Sequence, residues 1–242
     1  MSRQVDTFQL TNAEYFPIVA DYIIKEAKYS ISNFGLFKLL LSGGNTPIGI
    51  FKELVNKQDK MDWSKVELYW VDERCVPINS VDSNYGNCKK YLINHLVDKP
   101  KSYPMYKEKS IRESIKEYQR LLKKKITSSS CNFFDLALLG VGTDGHVASI
   151  FPNTKGANEK NVWVMPSVAP TFPTERMSLT FPIINLTKKI VILAKGAEKK
   201  WVFDICIEGC DNKKIPAKNI RPIFGNITWF VSFEFESMWL KE

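Results

Sequence analysis

The sequence predicts an α/β fold built on a mainly parallel sheet, and three observations carry that expectation. Apolar runs of strand length alternate with longer segments of helical spacing, the pattern of crossover connections. The alternation runs on without an internal repeat or a low-complexity linker, the longest polar stretch being Thr127-Ser128-Ser129-Ser130. With 44% hydrophobic residues in 242, the chain can bury a sizeable core. A single domain over residues 1–242 is therefore expected.

Strands are expected at 36–41, 66–71, 133–139, 162–165, 177–181 and 190–194, where β-branched, aromatic and leucine side chains run together. Helices fill the intervals. One should run over 47–57, with Thr46 as N-cap, Pro47 in the first turn, and Ile48, Phe51, Leu54 and Val55 as its apolar stripe. Tyr91, Leu92, His95 and Leu96 share a helical spacing, with Ser83 and Asn84 read as caps and His95 as a packing residue. A last clear helix spans 197–208 and stops at Gly209.

Composition narrows the function classes. No stretch joins a basic flank to an apolar run, and none approaches the roughly 20 apolar residues that span a bilayer, so a cytoplasmic chain with no membrane partner is expected. The five cysteines, Cys75, Cys88, Cys131, Cys206 and Cys210, form neither a CxxC pair nor a secreted framework. Cys206 and Cys210 could share a helix face, but with only His95 and His146 as imidazoles they do not make a zinc site, and no metal is expected. Lysine and arginine exceed the acids by 34 to 26, which favours an anionic partner. That partner is a nucleic acid, an acidic protein or a phosphorylated metabolite. The lysine pairs are scattered and lack the basic and aromatic interleaving of a nucleic-acid platform, so no nucleic-acid partner is expected and most of the pairs read as solvated faces.

In an open parallel sheet ligands bind beyond the carboxyl ends of the strands, so the residues following each strand carry the most information. Ser42-Gly43-Gly44-Asn45-Thr46-Pro47 combines a glycine turn with a helix start, which aims free N–H groups and the positive helix end at one point. A phosphate fits there; the alternative is a turn in which glycine merely supplies positive φ. Lys199, in the first turn of its helix, opposes the macrodipole unless an anion lies nearby. Asp72-Glu73-Arg74 offers both signs of charge, for a structural ion pair or for a polar substrate, and spacing does not choose.

Gly140-Val141-Gly142-Thr143-Asp144-Gly145 matches the GxGxxG dinucleotide pattern, but Pro152 limits any following helix and Glu159 ends no second strand. A dinucleotide site is set aside, and no cofactor is expected. His146, at this strand end, has the side chain suited to take a proton from water near neutral pH, and Asp144 can orient its loop.

Together these segments resemble the 6-phosphogluconolactonases, within the larger group that includes the glucosamine-6-phosphate deaminases. The likeness rests on SGGNTP at 42–47, DERCVP at 72–77 with Asp82-Ser83-Asn84 behind it, GVGTDGHVASIFP at 140–152, RMSLT at 176–180 and KGAEK at 195–199. It implies a modified Rossmann-like α/β fold with helices on both faces of the sheet. It further implies His146 as the base that opens a sugar-phosphate lactone, and a phosphate pocket at the Ser42 loop (Ser42, Gly43, Gly44, Asn45, Thr46) supplemented by Arg176 and Lys199. Asp72, Arg74 and Asp144 fall in the family's active-site segments. Some such proteins are fused to a dehydrogenase of the same pathway, so fusion to or association with glucose-6-phosphate dehydrogenase is also compatible with the resemblance. Deaminases similar to this group carry a glutamate shortly after the DGH histidine, whereas 147–158 here contains no acid, which favours the lactonase side.

Overall fold

A computed structural model describes residues 5–126, 134–209 and 215–234. In chain order the elements are β1 (Val5–Gln9), α1 (Asn12–Phe34), β2 (Phe37–Leu41), α2 (Asn45–Asn56), β3 (Val66–Trp70), β4 (Asp72–Arg74), α3 (Asn84–Tyr91), β5 (Lys101–Tyr103) and α4 (Ile111–Ile126). There follow β6 (Leu136–Gly140), β7 (Val164–Val168), β8 (Glu175–Leu179), α5 (Phe181–Ile184), β9 (Lys189–Lys195), α6 (Lys200–Glu208) and β10 (Asn226–Ser232).

Seven strands form one sheet in the order β1-β10-β9-β6-β2-β3-β5, and every pairing in it is parallel. The inner strands explain the choice: β3 is buried at all five positions and β2, β6 and β9 nearly so, as a sheet covered on both faces requires. The chain steps from β1 through β2 and β3 to β5 in one direction, then returns through β6 and β9 to β10. Right-handed crossovers place α1, α2 and α3 on one face and α4 and α6 on the other. Contacts of α1 with α2 and of α2 with α3 agree with that layering.

Several expectations change. The segments 162–165 and 177–181 do become strands, shifted to β7 and β8, but they leave the main sheet and join β4 in a separate antiparallel sheet ordered β4-β8-β7. The expected strand at 133–139 is observed as β6, and Phe133 lies outside the described residues. β1, β4, β5 and β10 are not among the expected strands; β1 is an exposed edge, β5 is only three residues long, and β4 is three charged residues read as the end of the preceding strand, so none of these three leaves a clear apolar run. α2 begins two residues early, with Gly44 rather than Thr46 at the N-cap. α3 ends at Tyr91, and His95 sits exposed in a following 3₁₀ turn rather than in the core, because the break at Leu92 rotates Leu96 inward instead. α6 does stop at Gly209, after a 3₁₀ turn over Ala197–Lys199. Cys131 and Cys210 lie outside the described residues. Among the described residues no helix is long and apolar enough to cross a membrane.

Candidate active site

β2 and β6 are neighbours, yet the chain leaves β2 toward β3 and leaves β6 toward β9. Their connections therefore diverge, and a crevice opens beyond the carboxyl ends of the two strands, the usual ligand position of such a sheet. A cleft of about 180 Å³ occupies this point. Its walls are the loop after β2, the loop after β6, the small antiparallel sheet and the start of α6.

The first wall is held by Ser42, whose N–H donates to Leu138 O at 3.0 Å and whose Oγ accepts from Gly140 N–H at 3.4 Å, so this loop is tied to β6. Gly44 then caps α2 at φ 93°, ψ −175°, a conformation that is essentially glycine's alone. A glycine cap brings no side-chain acceptor, and none bonds the helix start. The N–H groups of Asn45 and Thr46 thus have no intrahelical partner and edge the cleft, together with Ser42 and Gly43. Lys199 comes in from the opposite side, between the 3₁₀ turn and α6, and no carboxylate pairs with it among the described residues. Burial pushes its ammonium below the usual lysine range, with nearby Glu198 opposing and Lys195 reinforcing the shift. An anion between α2 and Lys199 would relieve both features.

The second wall folds back on itself instead of starting a helix. Gly142 N–H donates to His146 O at 2.9 Å and Gly145 N–H to Gly142 O at 3.0 Å, closing a tight loop, so the GxGxxG pattern presents no helix end to a pyrophosphate. Asp144 Oδ1 accepts His146 N–H at 3.0 Å and lies 2.6 Å from His146 Nδ1. Because an ionised carboxylate only accepts, Nδ1 carries the proton of the neutral ring and Nε2 keeps a lone pair. Burial alone would raise the Asp144 carboxyl, but its bonds to His146 outweigh burial and hold it below the usual carboxylate range. Phe151 packs on the imidazole with ring centroids 4.8 Å apart, and Trp201 Nε1 on α6 donates to Thr143 O at 3.0 Å. Gly142 is required by close approach: a Cβ there would lie 2.1 Å from His146 Nδ1.

The third wall comes from β4 and its partner β8, in which Asp72 pairs with Ser178 and Arg74 with Arg176. Asp72 is buried; its Oδ2 accepts from Ser149 Oγ at 2.6 Å, and Asn84 Nδ2 donates to Asp72 O at 2.9 Å and Oδ1 at 3.3 Å. Both of those atoms are acceptors, which fixes the Asn84 amide with its nitrogen toward Asp72. Arg74 donates to Asp82 O at 2.6 Å, while its Nε and that of buried Arg176 have no partner. Burial, then the facing Arg74, pushes the Arg176 guanidinium below its ordinary range, against Asp72, Asp82 and Glu73. Two apposed guanidinium groups with unused donors again call for an anion.

The structure thus brings Ser42, Gly43, Gly44, Asn45, Thr46, Asp72, Arg74, His146 and Lys199 to one cleft. Asp144 and Arg176 do not line it; the first bonds His146, and the second stands beside Arg74 as its cross-strand partner. Asn84 and Ser149 were missed. Ser83 is indeed the N-cap of α3, but the Asn84 side chain turns away from the helix to Asp72, and its place directly behind the Asp72 motif was the available signal. Among the described residues no three His, Cys, Asp or Glu side chains cluster as metal ligands.

The family model described as glucosamine-6-phosphate isomerases/6-phosphogluconolactonase matches residues 11–229. A 6-phosphogluconolactonase of Chlamydia pneumoniae is 36% identical over 214 residues, covering 87% of this chain and 81% of its own. The human GDH/6PGL endoplasmic bifunctional protein is 32% identical over 89% of this chain, which spans only 28% of that longer protein. The crystal structure of a 6-phosphogluconolactonase from Thermotoga maritima superposes with a TM-score of 0.82 at 26% identity, covering 95% of this chain and all of the other. By sequence along most of its length and by fold, the chain belongs to the glucosamine-6-phosphate isomerase/6-phosphogluconolactonase family.

Proposed function

We propose that the chain hydrolyses 6-phospho-D-glucono-1,5-lactone to 6-phosphogluconate, a step of the oxidative pentose phosphate pathway, with water activated by His146. The observation that carries this reading is the Asp144–His146 pair at one wall of a cleft whose other walls present unpaired cationic and N–H donors. The substrate phosphate lies against the start of α2 with Lys199, and Arg176 adds its field from beside Arg74. Nε2 of His146 takes a proton from water, the oxygen attacks the lactone carbonyl, and the proton returns to the departing ring oxygen. Arg74, at the cleft wall, offsets the charge that develops on the carbonyl oxygen. Asp144 keeps the ring in the tautomer the step requires and stabilises the imidazolium that forms. No nucleotide or metal enters this sequence of steps.

Opening and isomerising an amino sugar needs a further acid beside the histidine. Here Asp144 is already engaged in holding His146 Nδ1, the imidazole ring meets Phe151, and 147–158 contains no carboxylate, which supports hydrolysis over deamination. The human relative's bifunctional name supports an association with a dehydrogenase that supplies the lactone. The test of the activity is direct: freshly generated 6-phosphogluconolactone should give acid well above its spontaneous rate, and glucosamine 6-phosphate should give no ammonia. The reverse pattern, or neither product, overturns the reading.

A further inference from the structure

Glu73 lies between Asp72 and Arg74, so its side chain points away from the cleft, and it is only 2% exposed. Its carboxylate nevertheless gathers four donors. Oε1 accepts the N–H groups of Arg74 and Asn84, each at 2.7 Å, and Oε2 accepts Tyr85 N–H at 2.8 Å and Ser83 Oγ–H at 3.3 Å. It thereby closes the start of α3 onto β4, and two of the four residues it grips, Arg74 and Asn84, line the cleft.

We propose that Glu73 is a positioning residue whose ionised carboxylate clamps β4 to α3 and so fixes Arg74 and Asn84 against the substrate. An ionised carboxylate only accepts, which matches four converging donors; a protonated one keeps its partners only by reversing the Ser83 bond, its O–H donating to Ser83 Oγ, and, uncharged, it holds the three N–H groups more weakly. The clamp is therefore sensitive to protonation, and with it the placement of the groups around the lactone. This inference rests on the lactonase reading of the cleft.

Burial pushes the Glu73 carboxyl up to about 7; the three N–H bonds lower it and Asp72 raises it further. The other groups that sense it are Cys75 after its own strand, Arg176 on β8, Cys88 on α3 and Tyr118 on α4. Burial raises both thiols and the phenol, and arginine keeps its charge, so none of these four changes charge near neutrality. A carboxyl raised on folding favours the protonated fold. Its contribution to stability is full below the ordinary carboxylate range and is lost as pH rises through about 7. The activity it supports is gained over the same interval.

The test compares kcat/KM of the wild type and Glu73→Gln on freshly generated 6-phosphogluconolactone across the acid and neutral range. Glutamine has the size of the protonated acid, and the ratio of variant to wild type removes the pH effects common to both enzymes. At about pH 8 the variant should fall roughly tenfold or more below the wild type, and near pH 5 the two should converge to within about twofold, because the wild type is then protonated too. A ratio constant with pH overturns the proposal while leaving the lactonase reading intact; absence of turnover by the wild type at every pH overturns that reading first. Should Glu73→Gln not fold, the backbone N–H resonances of Arg74, Asn84 and Tyr85 in the wild type should titrate together with a midpoint near neutrality. Flat shifts across that range also overturn it.

Discussion

The two glycine-rich loops that meet at the cleft start from the same local design and end in opposite ones. Each follows a buried apolar strand, β2 or β6, and the strands are hydrogen-bonded neighbours. After β2 the chain enters a 12-residue helix through a glycine cap, and what it offers the cleft is backbone: unpaired N–H groups and the positive end of α2. After β6 no helix follows directly; the loop curls onto itself and offers a side chain, His146, locked by Asp144. Backbone dipoles act on a charge that the substrate keeps throughout, whereas the imidazole acts on a proton that moves only during reaction. The β2 side and its partner Lys199 should thus govern binding, and the β6 side turnover.

The sharpest break between the two sides is His146→Ala. We expect kcat to fall roughly a hundredfold or more with little change in KM, since a general base works only in the transition state. Spontaneous lactone hydrolysis must be subtracted, and a folded variant with near-normal kcat removes His146 from the role.

Lys199→Ala tests the other side and should reverse the pattern. The phosphate keeps its charge through ring opening, so the lost contact is common to ground and transition states; KM should rise while kcat changes little. A charge-assisted bond of about 1.5 to 3 kcal/mol corresponds to roughly 10- to 150-fold in kcat/KM. An unphosphorylated lactone is the control: its slow hydrolysis should respond much less, and equal losses on both substrates would move Lys199 off the phosphate.

The same contrast explains what was legible in the sequence. β2, β3, β6 and β9 announce themselves because a parallel strand buried on both faces must be apolar throughout, and their ends then point to the Ser42 loop and to His146. What was missed depends on contacts made across the chain. Ser149 reaches Asp72 over 77 positions, and Asn84 reaches it from a segment that reads as a helix cap. Arg176 came only from the family likeness, and the geometry places it beside Arg74 as its cross-strand partner, outside the lining. The shift of the α2 cap from Thr46 to Gly44 has a physical reason as well: the cap rule rewards a side chain that satisfies the first N–H groups, whereas this loop leaves them open.

That last point gives the finest and smallest test of the comparison, Gly44→Ala. A Cβ at Gly44 would meet nothing within 4 Å, so the substitution introduces no clash, and any effect must come from φ 93° itself. Forcing alanine into this region costs about 1 to 3 kcal/mol, and the loop can relieve the strain by rotating the peptide that carries the free N–H groups. Rotation turns those donors away from the phosphate while His146, on the other loop, stays where it was. We therefore expect KM to rise about fivefold, kcat to hold within about twofold, and Tm to drop by roughly 2 to 10 °C. A fall in kcat with unchanged KM would mean that the Ser42 loop positions the reacting carbonyl rather than the phosphate. The assignment of the two loops would then have to be exchanged.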